Sequence, residues 1–131
     1  MMTLQGTARW ERHNRAVVDS ADALDALLTR LEAGSSDHPI MVDLLASDGR
    51  SLVIGLGGDK AVLSLDGLDG APPYYASIGD EDAEGSISFD YGGEATILQM
   101  RHAVPIWAAR AAAAQFLREP GLPDSVRWEE I

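Results

Sequence analysis

The sequence predicts an α+β fold: a mostly antiparallel sheet of about six strands, with two amphipathic helices packed on one face. Three observations carry this. The stretch from Ile40 to Gln99, beginning IMVDLLASDGRSLVIGLGGDKAVLSL, is built of short, partly β-branched apolar runs broken by Gly and Asp. That rhythm is strand and turn rather than helix. The gaps between the runs are shorter than the dozen or more residues a parallel crossover needs, so the pairing is antiparallel. Outside this region, two stretches repeat apolar residues at helical spacing.

In chain order, Met1–Thr7 is expected to fray. Ala8–Val18 holds one strand, ending Ala16-Val17-Val18, with Arg9, Arg12, His13 and Arg15 around Trp10. This basic cluster reads as a solvated edge offsetting an acidic body. The first helix is expected over Ser20–Ala33. Leu24, Leu27, Leu28 and Leu31 fall at i, i+3, i+4 and i+7, one face of a helix. Asp19 or Ser20 caps it, Asp22 and Asp25 sit near its positive end, and Gly34 ends it.

Strands follow over Ile40–Ala46, Ser51–Leu56 and Ala61–Leu65, turning at Asp48-Gly49 and Gly57-Gly58-Asp59. Tyr74–Ile78, Ser86–Tyr91 and Ala95–Met100 complete the sheet, divided by GDEDAEG and Gly92-Gly93. The second helix runs from about Pro105 to Arg118. Pro105 suits a first helical turn, and the alanines favour helix. Ile106, Ala109, Ala113, Phe116 and Leu117 share one face; Trp107, Arg110 and Ala114 fall opposite. A Trp there is expected to lie under the C-terminal tail; otherwise it is an exposed anchor of the kind enriched at interfaces. EPGLP stops the helix, and DSVRWEEI ends the chain as a short strand or extended tail with Trp128 turned inward. There is no internal repeat or linker, so residues 1–131 are expected to form one domain.

Charge narrows the function classes. The 131 residues hold 21 acidic and 10 basic side chains, a net charge of −11. A nucleic-acid binder needs Lys and Arg to displace counterions, and an anionic membrane surface attracts the same residues; both are disfavoured. A basic protein partner is favoured. No cysteine is present, which excludes disulfides, thiolate zinc sites and cysteine nucleophiles. No apolar stretch approaches the ~20 residues of a membrane span, and the N-terminus has no apolar signal core. The expected location is the cytoplasm.

Between Ala61 and Met100 there is no Lys or Arg, while eight carboxylates are present. Six of them, Asp80, Glu81, Asp82, Glu84, Asp90 and Glu94, crowd a loop and the strands beside it. The ordinary reading is a solvated loop. The sharper one is a docking face for a cationic partner, with Trp107 and Arg110 as a second candidate contact.

Searches for chemistry end mostly in exclusions. GLGGDK lacks the spacing of a phosphate loop and no helix pattern follows it. Asp80 to Gly85 matches the opening of a calcium loop, with acids at positions 1, 3 and 5 and Gly at 6. Position 12 is Tyr91 rather than Glu, so a standard EF-hand is excluded. His13, His38 and His102 have no metal-ligand spacing, and no G-x-S-x-G elbow is present. The residues assign no catalytic group, cofactor or metal. A small-ligand or calcium-binding module stands as the alternative to a protein-binding role.

The ordered set of pieces resembles the Imm1 family of bacterial immunity proteins. It comprises the helix DALDALLTRLEA, the meander SLVIGLGGDKAVLSL, the Gly79-Asp80 turn after YYASIG, and the closing AVPIWAARAAAAQFLREPGLPDSVRW. The resemblance spans about Val17 to Trp128. It implies a protein that binds and neutralises a cognate polymorphic toxin, commonly a nuclease or nucleic-acid deaminase, and protects the producing cell. The family has no motif that fixes its toxin-contacting residues. An acidic face on such a protein would imitate phosphate toward a cationic toxin cleft.

Overall fold

The turn chemistry of the central stretch does what it predicts. The computed structural model describes residues 5–11, 13–119 and 121–131. Its elements are β1 (Gly6–Trp10), β2 (Asn14–Val18), α1 (Ala21–Glu32), β3 (Ile40–Ala46), β4 (Ser51–Gly57), β5 (Lys60–Asp66), β6 (Tyr75–Ile78), β7 (Ser86–Tyr91), β8 (Glu94–Gln99), β9 (Ala103–Pro105), α2 (Ile106–Arg118) and β10 (Arg127–Glu130). Gly49 turns β3 into β4 at φ +94°, a conformation that L side chains rarely adopt.

Among the described residues the sheet has ten strands rather than about six. Its main path runs β10-β6-β5-β4-β3-β1-β2, with β9 on β5 and the β7–β8 hairpin beside β3. Pairing is antiparallel except for one parallel bridge, Ile40 to Asp90. The expected single N-terminal strand is a hairpin, with Trp10 opposite Asn14. Gly6 and Thr7, expected to fray, belong to β1; residues 1–4, Arg12 and Pro120 lie outside the described residues. Both helices stand where expected. Ser20 caps α1, its Oγ accepting from the Ala23 N–H at 3.0 Å, and Pro105 occupies the cap position of α2.

Alternation divides the strands between two layers. Ile40, Val42 and Leu44, Leu52, Ile54 and Leu56, and Ala61, Leu63 and Leu65 point to one side. There they meet Leu24, Leu27 and Leu28 of α1 and Ala109, Ala112, Ala113, Phe116 and Leu117 of α2. The alanines bring α2 close to the sheet. On the other side, Met41 and Val62 meet Phe89 and Ala103, with Ile87 and Leu98 packed alongside. This smaller core is the underside of the β7–β8 hairpin, folded over the sheet. Gly55 makes room for it, because a Cβ there would lie 2.9 Å from Phe89 Cε1.

The edge of β5 is shared. β6 pairs it at Ser64 and Leu65, and β9 at Lys60 to Val62. Between them the Leu63 N–H donates to Ser77 Oγ at 2.9 Å, and that hydroxyl donates to the His102 carbonyl at 2.7 Å. A buried N–H left unpaired would cost about 1–3 kcal/mol, so the serine closes a gap in the ladder.

The C-terminal tail does not cover Trp107, which is 69% exposed. β10 pairs instead with β6, whose edge offers unpaired backbone groups. Trp128 packs against the main core and its Nε1–H donates to the Pro123 carbonyl at 2.7 Å.

Candidate partner-binding surface

The six acidic candidates lie at the two ends of the β7–β8 hairpin. Asp80, Glu81, Asp82 and Glu84 occupy the loop from β6 to β7; Asp90 and Glu94 flank the Gly92-Gly93 turn. Five residue steps along β7 separate the ends by roughly 17 Å. The structure therefore makes two acidic clusters of what the sequence offered as one face.

At the loop end, Asp80 Oδ1 accepts from the Asp82 N–H at 3.0 Å, and the Ala83 N–H donates to the Asp80 carbonyl at 3.0 Å. Such local bonds shape the loop while its carboxylates face water. Glu81 pairs with Arg127 at 3.1 Å, and Arg127 also donates to the Gly79 carbonyl. At the turn end, Asp90 Oδ2 lies 3.1 Å from His38 Nε2, and its Oδ1 accepts from the Gly93 N–H at 2.8 Å. Among the described residues, Asp80, Asp82, Glu84 and Glu94 make no ion pair.

Trp107 and Arg110 part company. Trp107 stands in water on the first turn of α2. Arg110, mostly buried, turns to α1: it donates to Glu32 Oε2 at 2.8 Å, to Thr29 Oγ1 at 2.8 Å and to the Asp25 carbonyl at 2.9 Å, and pairs with the Asp25 carboxylate. Its guanidinium joins the two helices.

A third group escaped the sequence reading. The Tyr91 hydroxyl donates to Asp43 Oδ1 at 2.8 Å, and Arg9 Nη2 stands 4.0 Å from Asp43 Oδ2. Burial, with the bond to Asp43, pushes the Tyr91 hydroxyl up to about 12. These side chains border a cavity of about 440 Å³ between the β1–β2 hairpin and the tip of β7–β8, with Trp10, Arg15 and Glu94 also lining it. The signal available in the sequence is Asp43 itself, a carboxylate inside the apolar run IMVDLLA.

Among the described residues no group of three or more His, Asp or Glu is placed to hold a metal ion. No described helix is long and apolar enough to cross a membrane. The surface carries two acidic clusters, a cavity lined by Arg9 and Arg15 together with Glu11, Asp43 and Glu94, and one exposed Trp, on an α+β scaffold whose helices occupy a single layer.

The scaffold is that of a small α+β protein. The chain belongs to the Imm1 family: the family model, described as immunity protein Imm1, matches residues 12–130. Among curated proteins none matches it. The family resemblance carried by the leucine helix, the meander and the closing helix is thus the family of the chain.

Proposed function

We propose that this protein binds and neutralises a cognate toxin domain, and that the toxin acts on nucleic acid, as a nuclease or a deaminase. Membership of an immunity-protein family supports the neutralising role. One observation carries the finer reading: the exposed 80–85 loop presents Asp80, Asp82 and Glu84 with no ion-pair partner among the described residues. An enzyme that handles nucleic acid grips phosphates with cationic groups. A loop of uncompensated carboxylates offers that cleft the same charge, speeds encounter and occupies it. Glu81, already paired with Arg127, adds less; Asp90 and Glu94 form a second, smaller contact, and Trp107 an apolar one. Arg110 contributes by holding α2 in place. The site of action is the cytoplasm, where such a toxin would meet its substrate.

The test is a calorimetric titration against the toxin domain encoded in the same locus, at low and at high salt. Tight binding that weakens with salt is expected. The triple variant Asp80→Lys, Asp82→Lys, Glu84→Lys is expected to bind about 10–100-fold more weakly with a flatter salt slope, since like charges set face to face cost several kcal/mol. Unchanged affinity and slope would remove the acidic loop from the interface. Tight binding indifferent to salt would move the contact to apolar groups such as Trp107.

A further inference from the structure

Among the described residues, β8 pairs with β7 alone, in unbroken register from Ser86 opposite Gln99 to Tyr91 opposite Glu94. The phase of that pairing is fixed near both ends. The Asp90 N–H donates away from β8, to the Pro39 carbonyl at 2.8 Å, so Asp90 and its partner Ala95 turn their backbone groups away from each other. The Met100 N–H turns the other way, to the Gly85 carbonyl at 3.0 Å. Alternation then directs the N–H and C=O groups of Ala95, Ile97 and Gln99 to the open edge. All three residues are exposed, Ile97 to 69%.

Proteins blunt open edges with charged side chains, Pro, bulges or short strands. β2 carries Arg15, and β10, four residues long, carries Arg127, Glu129 and Glu130. β8 has no such guard between Ala95 and Gln99. ATILQ holds no charge and no Pro, its register has no bulge, and its middle includes an exposed Ile. Charge gathers at the two ends instead. Glu94, with Asp90 close by, stands at the start of β8; the acidic loop ending in Glu84 and Gly85 stands at its finish.

We propose that β8 pairs edge to edge with a strand of the toxin that is basic toward both ends and apolar in its middle. The inference rests on the neutralising role proposed above. It gives the two acidic clusters one task, because their separation of roughly 17 Å is the length of one short strand. Backbone hydrogen bonds supply affinity, while Ile97 and the flanking carboxylates supply choice. A second copy of this chain is the wrong occupant. Paired antiparallel about Ile97, it sets Asp90 and Glu94 of each copy against the 80–85 loop of the other; paired parallel, it sets each cluster against itself. Both arrangements place acid against acid.

Hydrogen exchange with and without the toxin domain reads the pairing directly. In the free protein the Ala95, Ile97 and Gln99 amides are expected to exchange fast, and those of Thr96 and Leu98 slowly. Toxin should slow the first three; unchanged exchange at all three overturns the proposal. Ile97→Pro removes one outward N–H while sparing the bonds to β7, and is expected to lower affinity at least about tenfold. Ile97→Lys keeps every backbone group and puts a charge on the edge. It is expected to bind at least about tenfold more weakly with the Tm of wild type. Wild-type affinity in Ile97→Lys overturns the proposal, whether or not the Pro variant folds.

If the wild type binds no toxin, it is the proposed function that fails, and the free protein still decides the edge. Amide NMR signals are followed while a short peptide of alternating Thr and Val, with Lys at both ends, is added at low salt. Saturating shifts centred on Ala95, Ile97 and Gln99, absent when Glu replaces the terminal Lys residues, support the edge. No saturating shift overturns it, and equal shifts from both peptides overturn the basic strand. Sedimentation of the free protein tests the other occupant: a dimer that Ile97→Lys dissolves assigns the edge to a second copy and overturns the toxin strand.

Discussion

The carboxyl of Asp66 is pushed above its ordinary range, first by burial, against the Ser51 hydroxyl which pulls it down, and with Asp43 adding repulsion. A folded pKa above the unfolded one means that folding favours the protonated acid. That stabilisation is fully present below the unfolded value and is lost as pH rises through the folded value. At neutral pH the charged Asp66 therefore works against the fold. Asp66→Asn is expected to raise Tm at pH 7, with the gain vanishing near pH 3, as thermal melts across pH would read. Tyr91 obeys the same sign at the alkaline end. Its raised hydroxyl stabilises the fold below about pH 10, and the stabilisation disappears as pH passes through about 12. Tyr91 and Arg9 meet at Asp43, 48 and 34 residues away along the chain, which explains why no local pattern announced them. The charge gap that drew attention to Asp80–Glu94 was legible because it is a property of one contiguous stretch.

At the scale of elements, the parts that read correctly are those that carry their own instructions. β3, β4 and β5 have Gly–Asp turns at each junction, and α1 has a leucine stripe and a cap. β9 and β10 have three and four residues, too few for alternation to register, and each owes its strand state to an edge that another element leaves open. The tail was misjudged over Trp107 for the same reason: the edge of β6 is invisible until the sheet is assembled. The division of the acidic residues into two clusters likewise needed the hairpin to be folded. That hairpin depends on Phe89, fully buried over Gly55. Phe89→Ala is expected to cost about 3–5 kcal/mol. Hydrogen exchange should show β7 and β8 opening ahead of α1 and α2. Equal acceleration throughout would mean that the two layers unfold as one unit.

Across the whole molecule, 21 acidic groups against 10 basic ones leave a self-repelling surface. Raising salt from about 10 to about 150 mM shortens the Debye length from roughly 30 to 8 Å. Tm is expected to rise over that range; a fall would mean that the six arginine–carboxylate ion pairs among the described residues outweigh the net repulsion. The same low-salt condition would strengthen attraction to the cationic toxin proposed above, so on that proposal stability and affinity should move in opposite directions with salt. The two cores share no buried residue: the helices rest on one, the hairpin on the other. Mutations can therefore accumulate in the acidic loops and the glycine turn while the helix layer keeps the chain folded. On the proposed reading, partner choice is written on the layer that the helix core does not depend on, and a lineage facing a changed toxin can retune recognition without rebuilding its scaffold.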